Sequence, residues 1–135
     1  MRVRTYNCNS GCPVDATLDV IGGRWKGVLL FLLLDGPRRF GELRRLLPET
    51  TQRVLTLQLR ELEADGVVRR EIYPEIPLKV EYSLTDFGRS LEPILLQMRT
   101  WGERHTERLS MVREARIQKK ALSEALTGAE RLRTT

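Results

Sequence analysis

The hydrophobic period of this chain changes once, sharply, at Gly66, and that change limits what it can fold into. From Thr51 to Asp65 the leucines 55, 59 and 62 return at helical spacing. Past Gly66, Val67 to Tyr73 is rich in β-branched and aromatic residues. Lys79 to Leu84 then alternates strictly, with Val80, Tyr82 and Leu84 on one face. Pro74 and Pro77 hold the stretch between them out of any strand, so the two runs are expected to form an antiparallel hairpin with a short tip. A one-faced helix feeding directly into a one-faced hairpin can bury both only against further helices.

Those helices are legible upstream. Val14, Leu18 and Ile21 mark a short helix that Gly22-Gly23 stops. Trp25, Val28, Leu29, Leu32 and Leu33 mark a stronger one from about Arg24 to Leu34, ended by Asp35-Gly36-Pro37. Arg38-Arg39-Phe40 reads as a stub of strand, and Gly41 to Leu47 as a short helix. Thr51 is placed to cap the helix that follows. Downstream, Thr85 is expected to cap one long helix with the stripe Phe87, Leu91, Ile94, Leu95, Met98 and Trp101, bent where Pro93 interrupts it. Beyond His105 the chain is charged and helix-prone, and Thr127 to Thr135 is expected to fray. The fold class expected is mostly α with a small antiparallel β-hairpin: a winged helix-turn-helix with flanking dimerisation helices. The division expected is an N-terminal arm over 1–13, the winged domain over 14–106 and a helical tail over 107–135.

The polar side of the Thr51 helix carries Gln52, Arg53, Thr56 and Arg60. Arg and Gln pair bidentately with base edges, and Thr meets thymine methyls or phosphates, so this face suits a major groove. Charge points the same way. Of 23 Lys and Arg against 18 Asp and Glu, net +5, the stretch Gly36 to Arg60 alone holds six arginines against two glutamates. Such clustering is the footprint of a phosphate-binding face. Arg38, Arg39 and Thr51 lie beside the helix, and Arg69, Arg70 and Lys79 flank the hairpin tip, where backbone contacts are expected. No apolar run approaches a membrane span and the N-terminus lacks a signal core, so the reading is cytoplasmic with no membrane partner. One histidine supports no nucleophile–base–acid set, hence no enzyme. Cys8, Cys12 and His105 are too few for one-chain zinc, so neither metal nor cofactor is expected. Gly22-Gly23-Arg24 lacks the context of a phosphate loop and reads as a place where two helices approach. Trp25 and Trp101 read first as core; Trp101 also fits an interface anchor.

Taken together, the motifs Cys12-Pro13-Val14, Ile21-Gly22-Gly23-Arg24-Trp25-Lys26, Gly36-Pro37-Arg38-Arg39-Phe40, Leu59-Arg60-Glu61-Leu62-Glu63, Tyr73-Pro74 and Val80-Glu81-Tyr82-Ser83-Leu84-Thr85 resemble those of the HxlR-type regulators, a branch of the MarR-like winged-helix proteins. The resemblance runs from Cys12 to Gly102. It implies a homodimeric transcriptional regulator, read as a repressor, on a palindromic double-stranded operator. Leu18, Leu91, Leu95, Met98 and Trp101 would form the dimer interface. Thr50-Thr51-Gln52-Arg53 departs from the family's commoner Ile-Ser-x-Lys, keeping cap and charge but altering the cation available to bases. Some relatives sense oxidants or electrophiles with a cysteine at the place of Cys12. A helix N-terminus favours the reactive thiolate, and Cys8 is a candidate resolving partner. The residues leave alternatives open: a small-molecule effector in place of the thiol, a protein-interaction module binding an acidic partner, and, weakest, a thiol-redox enzyme.

Overall fold

The computed structural model describes residues 11–133. Ten elements follow in order: α1 (Pro13–Ile21), α2 (Lys26–Leu33), β1 (Arg38–Arg39), α3 (Phe40–Leu46), α4 (Gln52–Ala64), β2 (Val68–Tyr73), β3 (Lys79–Leu84), α5 (Asp86–Arg89), α6 (Glu92–Arg104) and α7 (Thr106–Arg133). The chain divides into two units, one ending at Leu95 and one running from Leu96.

The first unit is built around leucine. Leu29, Leu30 and Leu33 of α2, Leu43 of α3, and Leu55, Leu59 and Leu62 of α4 are fully inaccessible. Ile21, Leu47, Val67, Val68, Tyr82 and Leu95 complete the cluster. The hairpin gains a third strand: β1 pairs antiparallel with β3, giving the order β1-β3-β2. In β2 and β3, Val68 faces Leu84, Arg70 faces Tyr82 and Ile72 faces Val80. Because side chains alternate, Arg69, Glu71 and Tyr73 lie on the other face, opposite Ser83, Glu81 and Lys79.

Two glycines are dictated by space. A Cβ on Gly88 would stand 2.0 Å from the carbonyl oxygen of Val67. That close approach seats α5 against the strand, where Thr85 N–H reaches Val67 O at 3.2 Å and Thr85 Oγ1 donates to Gly66 O at 2.6 Å. A Cβ on Gly22 would stand 2.2 Å from the Leu18 carbonyl oxygen, and Gly23 has φ +85°. The Gly22-Gly23 pair therefore turns the chain off α1, and its reason is local rather than the approach of two helices.

The long helix expected after Thr85 is two helices. Thr85 Oγ1 does cap, accepting from Gly88 N–H at 3.0 Å. The turn it starts is only four residues long, and Ser90 and Leu91 separate it from α6. Pro93 is thus in the first turn of α6, where a missing N–H costs nothing, rather than inside a helix. The described residues of the second unit are helical apart from a turn at His105. α7 has no buried residue and is helical as far as Arg133. Trp101 is 59 % exposed, 5.0 Å from the His105 ring, and is not a core residue. No described helix is long and apolar enough to cross a membrane.

Candidate nucleic-acid interface

α4 is held rigidly from behind and left open in front. Its leucine side is sealed in the core, and Thr51 Oγ1 accepts from Val54 N–H at 3.2 Å, closing its first turn. Lys26 of α2, with a side chain only 14 % exposed, reaches Glu61 of α4 at 2.7 Å. Arg70 of β2 reaches Glu63 of α4 at 3.4 Å. Both contacts use the last two turns of α4 and leave its N-terminal turns open among the described residues. There Thr51, Gln52 and Arg53 are exposed, with Arg60 following two turns on. Thr56 is half-buried and donates its hydroxyl proton to Gln52 O at 2.8 Å.

Three further cations line a neighbouring surface. Arg39, exposed at the start of α3, lines a groove of about 480 Å³ with Arg45 and Lys79, over Phe40 and Glu42. Glu42 fixes the start of α3 by accepting from Arg39 N–H at 3.2 Å. Arg45 was not among the residues expected from the sequence. It lies one helical turn after Gly41, which lines the same groove.

Arg38 behaves differently. Its Nε donates to Leu32 O at 3.0 Å, and its guanidinium meets Asp35 at 3.5 Å and Glu42 at 3.9 Å. It fastens β1 to the end of α2 and turns its charge inward. The wing is also less basic than its cations suggest. Arg69 meets Glu71 at 3.7 Å and Lys79 meets Glu81 at 3.5 Å. With Glu75 at the tip, strands and tip together carry three cations and three carboxylates. Lys79 Nζ lies 4.7 Å over the Tyr73 ring, and Tyr73 donates its hydroxyl proton to Glu71 at 2.5 Å. That bond to a carboxylate raises the Tyr73 pKa above the usual phenol value. Burial raises that of Tyr82 on the opposite face. The positive excess therefore rests on the stretch from Gly36 to Arg60, before Glu61 and Glu63 close α4, with the wing close to neutral.

Cys12 is the N-cap residue of α1, 7 % exposed, and its carbonyl accepts from Ala16 N–H at 2.9 Å. Pro13 follows as the first helical residue. The thiol thus sits at a helix N-terminus. The first cations downstream have other partners: Arg24 pairs with Glu49 at 3.0 Å and Lys26 with Glu61. Cys8 lies outside the described residues. Of the residues expected to pair two subunits, Leu18, Met98 and Trp101 are exposed. Leu95 closes the core of the single chain at 3 % exposure, and Leu91 packs against that core. Among the described residues no group of three His, Cys, Asp or Glu is arranged to hold a metal.

Known proteins are similar to this chain. The family model described as HxlR-like helix-turn-helix matches residues 20–110. The uncharacterized HTH-type transcriptional regulator YdeP of Bacillus subtilis is 60 % identical over 106 residues, covering 78 % of this chain and 83 % of the relative. Among solved structures, the redox regulator HypR in its oxidized form is 67 % identical, covering 69 % of this chain and 96 % of that one, with TM-score 0.67. In its reduced form HypR is 63 % identical over 73 % of this chain and 97 % of that one, with TM-score 0.69.

Proposed function

The chain belongs to the HxlR-like helix-turn-helix family, and from that premise we propose that it is a homodimeric repressor whose hold on a palindromic operator is broken by oxidation at Cys12. It is a DNA-binding transcriptional regulator and not an enzyme. The observation that carries the finer reading is α4: capped at Thr51, sealed behind by three leucines, and open in front at Gln52, Arg53 and Arg60.

In this reading Gln52 and Arg53 face base edges in the major groove, with Thr51 and Thr56 beside them. Arg60, Arg39, Arg69, Arg70 and Lys79 meet phosphates. Arg38 positions β1 and contributes through the fold. The exposed set Leu18, Met98 and Trp101 supports pairing with a second copy, which would set two reading helices about 34–36 Å apart. The protein then works in the cytoplasm, on DNA.

The switch is supported by the place of Cys12 at a helix N-terminus and by the redox regulation named for HypR. With diamide as oxidant, the Cys12 thiolate adds to the N=N bond. A second thiol, Cys8 or a cysteine of the other subunit, then displaces the hydrazine and leaves a disulfide. Each sulfur gives up one electron and one proton to the reagent. A new bond at the start of α1 shifts the spacing of the reading helices and takes them out of register with successive grooves. The test is selection of bound sites from random duplexes with reduced and with oxidised protein. One palindromic consensus is expected from reduced protein and none from oxidised. Arg53→Ala is expected to weaken that consensus by about 1–3 kcal/mol and relax preference at one position per half-site. Selection that returns no consensus would refute sequence-specific reading. Equal binding in both redox states would refute the switch alone.

A further inference from the structure

Leu57 is 53 % exposed, in contrast to its neighbours Leu55 and Leu59, which are fully inaccessible. It lies one turn after Arg53 and one turn before Arg60, so the three side chains form a row along the open side of α4. Nothing among the described residues covers this row. The leucine is flanked by two exposed guanidinium groups, a setting that suits an anionic, grooved surface and not an apolar protein partner. Of its flanking arginines, Arg53 is read above as facing base edges and Arg60 as meeting a phosphate, which puts Leu57 between the two.

A branched aliphatic group there has one complementary chemistry. The major-groove floor offers hydrogen-bonding edges and a single apolar group, the C5-methyl of thymine. We propose that Leu57 reads a thymine methyl in each half-site and thereby sets preference for T over C, which presents an amino donor on that edge and no methyl. This rests on the reading of α4 as the recognition helix. It adds an apolar determinant to a face that composition alone presents as polar and basic.

The test removes the methyl and nothing else. Each thymine of the selected operator is replaced in turn by deoxyuridine, and binding is measured with the full-length protein, with Leu57→Ala and with Leu57→Gln. Burying one methyl-sized group is worth about 0.8 kcal/mol, which converts to about fourfold in affinity per half-site and about 14-fold when both halves carry uracil. With wild type, uracil at one symmetric position is expected to cost that factor. With Leu57→Ala the same operator and its uracil form are expected to bind equally, at the lower affinity. Alanine is the best helix former, so α4 is retained. Leu57→Gln supplies a second variant with a long side chain and no apolar end. The proposal is overturned if no thymine shows a uracil penalty, or if the penalty persists in both variants. An operator still bound selectively in that case leaves the recognition helix standing and removes Leu57 alone. Absence of any selective binding removes both.

Discussion

Removing a carboxylate from the wing should tighten DNA binding, and Glu71→Gln is the cleanest case. Glu71 lies 3.7 Å from the Arg69 guanidinium on the face of β2 turned away from the core. A phosphate oxygen accepting from the far side of Arg69 at about 2.8 Å would stand about 6.5 Å from that carboxylate. At that distance in water two like charges repel by about 0.6 kcal/mol, close to threefold in affinity per wing and eightfold for two wings. At physiological salt, where the screening length is about 8 Å, the gain should fall below about twofold per wing. Glutamine preserves an acceptor for the Tyr73 hydroxyl, so the strand is not disturbed. The assay is a titration of specific and random duplexes from about 50 to 200 mM salt. Both duplexes should gain equally, and the plot of log affinity against log salt should steepen. An independent readout comes from Tyr73, whose pKa is raised chiefly by its bond to Glu71 and should drop toward the usual phenol value in the variant. Unchanged or weaker binding at low salt, alongside the expected drop at Tyr73, would show that the Arg69 face of the wing stays away from phosphate.

Gly88→Ala forces a Cβ to within 2.0 Å of Val67 O and must break the Thr85 N–H bond to that oxygen. About 2–4 kcal/mol of stability should be lost, read as a shift of ten or more degrees in thermal midpoint; a change within about 0.5 kcal/mol would contradict the seating of α5 described above. Tyr82 is held protonated by burial, so its folded pKa lies above its unfolded value and its share of stability is lost as pH climbs past about 10. Tyr82→Phe should flatten that alkaline decline in a urea series at pH 8 to 11, and an unchanged slope would assign the decline to other groups. Cys12→Ser should bind DNA as wild type does but no longer release it on treatment with diamide or a quinone; release that persists would move the sensor elsewhere.

Most helices were legible because their periods are strong, and α4 was placed together with its Thr51 cap. The break at Ser90–Leu91 was not. The apolar stripe runs on across it, and the signal that α5 stands apart is the fit of Gly88 under a backbone carbonyl, a tertiary fact. The same holds for Leu95, drawn from the stripe into the core, and for Arg38, whose partner is the Leu32 carbonyl. Charge counting located the basic segment between Gly36 and Arg60. It overstated the wing, because Glu71 and Glu81 fall beside Arg69 and Lys79 only once the strands are in register. Leu57 escaped because an apolar residue on a polar face looks, in one dimension, like an imperfection of the stripe.

α7 spans 28 residues, about 42 Å at 1.5 Å per residue, without burying one side chain. Its helicity in the single chain therefore comes from local sources: good helix formers and spaced pairs such as Lys120 with Glu124. Such terms add residue by residue, whereas the leucine core gains its stability all at once. The consequence is a protein that melts in two styles. On warming, ellipticity should decline gradually from low temperature as α7 unwinds, while Trp25, packed on the core, reports a single sharp transition later. Amides of α7 should exchange with solvent in the time that those of α2 and α4 remain protected.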